Sequence, residues 1–357
     1  MKRREPLSNT QLLMFIAIGI FAVMYAAAIV GLGDAFTKFQ QFFNLLNDNA
    51  YLIIIGCALT VVMIGGGINI SVGGVISLTV MACALFLNGT GLQNGLGVIV
   101  SLLLALGIGL AFGIGQGFLV SYLEIQPFIV TLAGMFLARG LTTILSVNPV
   151  KVTEKTHAVF YAFRGNKIEI PFLGYTAQNG NLIPGRLEIG AIVAIVVVIR
   201  CFVLLRYVKL GRNIYALGGN QQSALMLGII VKRTRFLSYV ISGLLSGLAG
   251  FVFLMHKPAG NASVAMRSEM DAIAASIIGG TLLTGGVGNV IGTFFGVMIL
   301  ATIQKIIALS PLNESWWQDM ASGALLGFFI MLQSVVLSSR EKRRAKKSAV
   351  TAALQKK

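Results

Sequence analysis

Few side chains in this chain of 357 residues are equipped for covalent chemistry. The two histidines, His157 and His256, are too few for most acid-base schemes, and neither H-E-x-x-H nor G-x-S-x-G occurs. Cys57, Cys83 and Cys201 sit in apolar runs with no C-x-x-C spacing and no neighbouring histidine, so they read as small packing side chains rather than metal ligands. A phosphate-binding G-x-x-x-x-G-K-S/T loop is absent, which leaves the chain without its own ATP site. What remains is hydrogen-bonding chemistry inside apolar stretches, from Asn69, Ser71, Gln116, Thr131, Thr284 and Asn289, together with Arg139. Amides and hydroxyls of this kind can hold and release a neutral polyol without reacting with it. The expectation is therefore a chain with no catalytic residue, no metal site and no cofactor of its own.

The elements that carry these residues are membrane spans. A hydrophobic content of 56%, a mean hydropathy of +0.85 and a charged fraction of only 11% exceed what a soluble core needs. The formal charge of +16 is concentrated in loops and tails, as the positive-inside rule expects, and so indicates topology rather than nucleic-acid binding. Segments long enough to cross the hydrocarbon fall at about 12–32, 50–67, 70–88, 97–118, 127–147, 188–206, 236–256, 271–287, 289–308 and 319–338. The fold expected is all-α, with about ten transmembrane helices. The first segment follows Lys2, Arg3 and Arg4 and is longer than a signal-peptide core, so it is expected to be a retained span despite the A-x-A at Ala26 and Ala28. An even count places both basic tails, 1–11 and 339–357, on the cytoplasmic side of one membrane domain at 12–338. The loop at about 148–186 would lie outside, where apolar pieces at 158–163 and 168–173 suggest a small folded cap.

Two stretches interrupt the spans. Residues 65–74 hold five glycines and residues 279–292 hold six. Glycine at this density predicts broken helices or very close backbone approach, tolerated where protein or a water-filled cavity satisfies the freed backbone groups. Both stretches are candidates for lining a solute pathway. The stripe Gly109, Gly113, Gly117 and the pair Gly243, Gly247 have helix-packing spacing, within the chain or against a second subunit.

No Asp, Glu, Lys, Arg or His lies between Asn49 and Leu123, and none between Ala272 and Gln304. An ion-coupled carrier ordinarily uses such groups at that depth, so an external energy source is favoured over the two alternatives, a secondary transporter and a non-transport scaffold. The entry point for that energy is the polar segment 207–235, whose core from Lys209 to Arg235 carries five basic residues, no acid, and a Gly-Gly-Asn break at Gly218 to Asn220.

Four stretches, Asp48 to Leu78, Pro127 to Leu141, Gly211 to Ile229 and Asp271 to Thr293, resemble the membrane permeases of ribose-type sugar ABC importers, in the same order along the chain. The run TLAGMF-x-x-RG and Ser315-Trp316-Trp317 are most similar to galactofuranose-type permeases, with fructose-type relatives also alike. The resemblance implies that Gly211, Arg212, Tyr215, Gly218, Gly219, Asn220, Ala224 and Gly228 belong to the cytoplasmic loop that engages an ATPase. It implies as partners an ABC-type ATPase subunit, a second permease subunit, an extracytoplasmic solute-binding protein and the lipids of a bacterial inner membrane. The implied cargo is a monosaccharide, with another small polar solute as the alternative. One departure stands out: the family usually has Asp where this chain has Asn69, which keeps hydrogen bonding but removes charge.

Overall fold

The computed structural model describes residues 9–89, 94–176, 182–310 and 316–331. Ser315 and the tail from 332 onward lie outside these residues, as does the end of the expected span 319–338. The helices are α1 (Asn9–Leu32), α2 (Asp34–Thr37), α3 (Phe39–Asp48), α4 (Ala50–Ile64), α5 (Val72–Gly89), α6 (Gly95–Ser121), α7 (Pro127–Leu145), α8 (Ala158–Gly165), α9 (Ile189–Tyr207), α10 (Lys209–Gly219), α11 (Gln221–Met226), α12 (Val231–His256), α13 (Ser268–Ile278) and α14 (Val290–Leu309). Residues 316–331 form a further helix.

Seven of the described helices are long and apolar enough to cross a membrane, or eight when α3 and α4, bent by 58° at Asn49, count as one span. The expectation of about ten spans is thus met only as a polytopic helical bundle. The expected span 319–338 runs beyond the described residues, and two others are cut short by glycine. The expected span 271–287 coincides with an 11-residue helix, Ser268–Ile278, that stops because Gly279 and Gly280 end it. The expected span 50–67 likewise ends at Ile64, just before three consecutive glycines.

The core is built around α4 and α12. Leu52 to Ile64 is buried almost throughout, and α12 packs on α4, α5 and α6. Outward-facing residues such as Phe136, Leu137 and Ile144 stay exposed, as a lipid-facing surface requires. The glycine stripe is spent inside the chain: a β-carbon at Gly113 would lie 2.8 Å from the Tyr239 carbonyl oxygen, and Gly109 and Gly243 face each other so that α6 and α12 touch backbone to backbone. Between α4, α13 and α14, the buried hydroxyls of Thr60 and Thr293 meet at 2.6 Å, with Ser276 at 3.3 Å from Thr60. These groups also bond to helix carbonyls and fasten three apolar helices together.

The fold is all-α in its spans, and the loop after α7 adds a small β element. This loop contains α8 and an antiparallel hairpin of β2 (Lys167–Thr176) and β3 (Leu182–Glu188). Lys167 faces Glu188 and Glu169 faces Arg186 across the register, and both pairs close as ion pairs at 3.2 and 3.4 Å. Side-chain amides of α3 clamp the hairpin: Asn47 accepts from Glu188 N at 2.9 Å, and Gln40 accepts from Arg186 N at 2.7 Å. His256, at the end of α12, reaches Glu188 at 2.8 Å. Burial alone would raise the Glu188 carboxyl, but the hydrogen bonds and charges of His256 and Lys167 outweigh it and hold the group below its ordinary value. Arg164 of α8 donates to the Met255 and His256 carbonyls, placing a cation on the C-terminal end of α12. Two-residue strands β1 (Val150–Lys151) and β4 (Ala259–Gly260) pair at this same end of the bundle. The opposite end carries α10 and α11.

Candidate functional site

The two glycine-rich breaks and the polar segment, far apart in sequence, meet at the end of the bundle away from the hairpin. α4 stops at Ile64 and α5 resumes at Val72; α13 stops at Ile278 and α14 resumes at Val290. The freed backbone groups are then satisfied by protein. Gly286 N donates to the Ile64 carbonyl at 2.8 Å, which ties one break to the other. The buried Tyr239 hydroxyl donates to the Ile68 carbonyl at 3.1 Å, and the Tyr215 hydroxyl of α10 donates to the Gly288 carbonyl at 2.7 Å. Burial pushes the Tyr215 phenol up to about 12, so it stays a donor at any physiological pH.

Gly218 lies at the centre of this junction. A β-carbon there would overlap the Ile64 carbonyl oxygen and sit 2.5 Å from Gly286 N, so only glycine lets α10 approach both breaks. Its neighbour Gly219 differs, because a β-carbon at that position meets nothing within 4 Å. The chain then turns into α11. Asn220 caps this helix, its side-chain oxygen accepting from Ser223 N at 2.8 Å. Gly228 ends it in the left-handed region at φ 75°, with Ile229 N bonded to the Ala224 carbonyl and Gly228 N to the Leu225 carbonyl, the Schellman arrangement. Ala224 is buried against the bundle, whereas Leu225, Met226 and Leu227 are exposed, at 54%, 84% and 77%. Gly211 packs on Leu204 and Leu205 where α9 turns into α10, and the Arg212 guanidinium donates to the Tyr207 carbonyl at 3.1 Å. A groove of about 680 Å³ runs along this assembly, lined by Gly66, Gly218, Gln221, Leu225, Arg235 and Thr284 among others.

The seven residues expected to line a pathway do not form one site. Asn69, Ser71 and Gln116 come together with Ser242 in a buried cluster. The Asn69 amide donates to the Ser242 hydroxyl at 3.0 Å and accepts from the Ser71 amide at 3.1 Å and hydroxyl at 2.7 Å, while Gln116 donates to Ser71 at 2.8 Å. All four side chains are 5% exposed or less, so their hydrogen bonds are used on one another. Thr131 is also buried and donates to the carbonyl of Pro127 in its own helix. Arg139 reaches across to Glu269 of α13 at 3.4 Å, in a pair whose side chains are 18% and 9% exposed, so it neither stands alone nor snorkels free. Thr284 is on the exposed rim of the groove. Asn289 caps α14 through Ile291 N at 3.0 Å, away from the cluster.

Sequence reasoning missed Glu269, Ser242 and Arg235. Glu269 carried a usable signal, an acid two residues before Asp271 at the start of an apolar run. Ser242 carried none, since its helix is rich in serine and glycine. Arg235 donates to Gln221 at 2.8 Å and so ties the start of α12 to α11.

Residues 41–330 match the family model described as branched-chain amino acid transport system / permease component. The chain is 36% identical over 320 residues to the inner membrane ABC transporter permease protein YjfF of Escherichia coli strain K12, covering 90% of this chain and 91% of that protein. It is 32% identical over 328 residues to the fructose import permease protein FruG of Bifidobacterium longum, covering 90% of each. It is 31% identical over 316 residues to the ribose import permease protein RbsC of Bacillus subtilis, covering 88% and 90%. No solved structure matches the chain significantly.

Proposed function

This chain belongs to the ABC-transporter permease family matched across residues 41–330, and from that membership we propose that it is the membrane-spanning subunit of an importer that brings a monosaccharide into the cytoplasm. Its length-wide likeness to permeases for fructose and ribose supports the cargo class. ATP hydrolysis takes place in a separate cassette subunit, which docks at α11. A second permease subunit completes the membrane unit, and an extracytoplasmic binding protein delivers solute at the hairpin end. Both termini face the cytoplasm of a bacterial inner membrane.

The observation that carries the coupling role is the geometry of α11. A six-residue helix capped at both ends presents Leu225, Met226 and Leu227 outward while Ala224 anchors it. Through Asn220 and Gly219 it continues into Gly218, which is packed against both helix breaks. A push on α11 therefore reaches α4 and α14 as a rigid-body displacement rather than dissipating in a flexible loop. The buried Asn69 cluster holds the restart of α5 against α6 and α12 while the junction at Gly285 and Gly286 shifts. The charge usual at position 69 in the family is replaced here by an amide whose hydrogen bonds are all made within the chain.

The test is purification of the full-length chain from its native membrane, followed by uptake in liposomes against a panel of sugars. A stable complex with a P-loop ATPase and ATP-dependent uptake of a monosaccharide is the expected result. Uptake by this chain alone, driven by an ion gradient, would overturn it.

A further inference from the structure

A second cavity, of about 460 Å³, lies at the same end of the bundle as α11 but on a different face, between α1, α9, α10 and α14. Its lining divides by chemistry. Phe202, Leu205 and Val290 make an apolar wall, while Arg206, Arg212 and Asn289 supply the polar one. Among the described residues no carboxylate lines it, and neither arginine makes an ion pair with an acid. Arg206 lies over the Tyr207 ring at 6.0 Å, and Arg212 donates to the Tyr207 carbonyl. The Asn289 amide donates to the Met14 thioether at 3.0 Å, a weak acceptor that an oxyanion would readily replace.

α1 and α9 both pack on α14 without packing closely on each other, and the cavity lies where the start of α1, the end of α9 and the start of α14 come together with α10. A site with an apolar wall of Phe202, Leu205 and Val290 beside two guanidiniums at the end of a span matches the chemistry of a phospholipid, with hydrocarbon against that wall and a phosphodiester between the arginines. We propose that this cavity binds the phosphate headgroup of an anionic phospholipid, held by Arg206 and Arg212 with its acyl chain between α1 and α9. The inference goes beyond the importer reading and rests only on the chain's being a membrane protein. Because Arg212 and Tyr215 belong to α10, the bound lipid touches the same helix that carries Gly218 to the junction.

The experiment is native mass spectrometry of the intact, full-length chain extracted from bilayers of equal parts phosphatidylglycerol and phosphatidylcholine. The wild-type chain should retain phosphatidylglycerol selectively. Each of Arg206→Gln and Arg212→Gln should cut that retention by roughly fivefold, and the double variant by about 30-fold, following the usual worth of a basic residue at an anionic surface. Arg206→Lys with Arg212→Lys should restore part of it, which separates a charge-binding site from a folding defect. Arg233→Gln, which removes an exposed cation away from this cavity, should leave retention unchanged. Equal loss in Arg233→Gln, or no loss in the double variant, overturns the proposal. Displacement of the lipid by millimolar inorganic phosphate, with the same arginine dependence, would make free phosphate the occupant and overturn the lipid assignment.

Discussion

The two glycine-rich interruptions read alike in sequence yet are built in opposite ways. At residues 68–71 the break is sealed by side chains: Asn69, Ser71, Gln116 and Ser242 close a hydrogen-bond cluster with almost no exposure, and Tyr239 takes up the Ile68 carbonyl. At residues 279–289 contacts run largely between backbones, where Gly285 and Gly286 lie against Gly218, Gly219 and Ile64, and Thr284 faces an open groove. A saturated buried network has no spare partners with which to rearrange, so the first break behaves as a fixed point. A junction of bare backbones beside a groove can slide, and it touches the element on which a partner would act.

The largest effect should come from forcing that sliding junction apart. Gly218→Val meets the Ile64 carbonyl and Gly286, an overpacking cost of about 1–3 kcal/mol concentrated where motion is transmitted. ATP-driven uptake in liposomes should fall by roughly tenfold or more, while Gly219→Val, with open space around it, should retain most activity. Equal loss in both variants would erase the distinction between the two glycines.

The sealed break can be tested through its neighbour. The Glu269 carboxylate lies against Gly73 in the first turns of α5 and pairs with Arg139. Glu269→Gln should destabilise the chain by about 3 kcal/mol, the low end for breaking a buried pair, because it strands the guanidinium. Arg139→Met combined with Glu269→Gln should recover much of the loss, and melting in detergent reads both. A double variant no better than the single would mean the pair is not the source of the effect.

Within the cluster, Asn69→Ala leaves the Ser71 amide without its acceptor, at about 1–3 kcal/mol. Asn69→Asp should cost less, since a carboxylate keeps that acceptor and the Ser242 hydroxyl can turn to donate. Thermal melting ranks the two, and Asp melting below Ala would contradict this arrangement.

The smallest effects should lie at the ends of α11. Asn220→Ala removes a cap worth about 1 kcal/mol, and Gly228→Ala forces a side chain into the left-handed region at about 1–2 kcal/mol. Both should weaken co-purification with the ATPase while leaving the melting temperature of the spans nearly unchanged.

The breaks themselves were legible in the chain because glycine density acts locally: Gly65 to Gly67 and Gly279 with Gly280 end helices wherever the rest of the fold lies. The count of spans was not legible to the same degree. Apolar composition continues through 279–289, so a hydropathy reading carries on where the backbone has already left the helix. Nor was the hairpin. Its strands combine apolar residues with charges that read as an ordinary loop, and only the pairing of Lys167 with Glu188 and Glu169 with Arg186 makes them complementary.

Sequence by itself determined the solvent of this protein, the places where its helices break, and the polar segment with its Gly-Gly-Asn break between the two apolar halves. These depend on composition and on neighbours within a few positions. The tertiary structure alone decided which polar groups are spent on one another and which remain open. Asn69 and Ser242 are 173 positions apart, Arg139 and Glu269 are 130 apart, and Tyr215 and Gly288 are 73 apart. Inside a bilayer an unpaired polar group is costly, so these groups are paired, but no local pattern says with which partner.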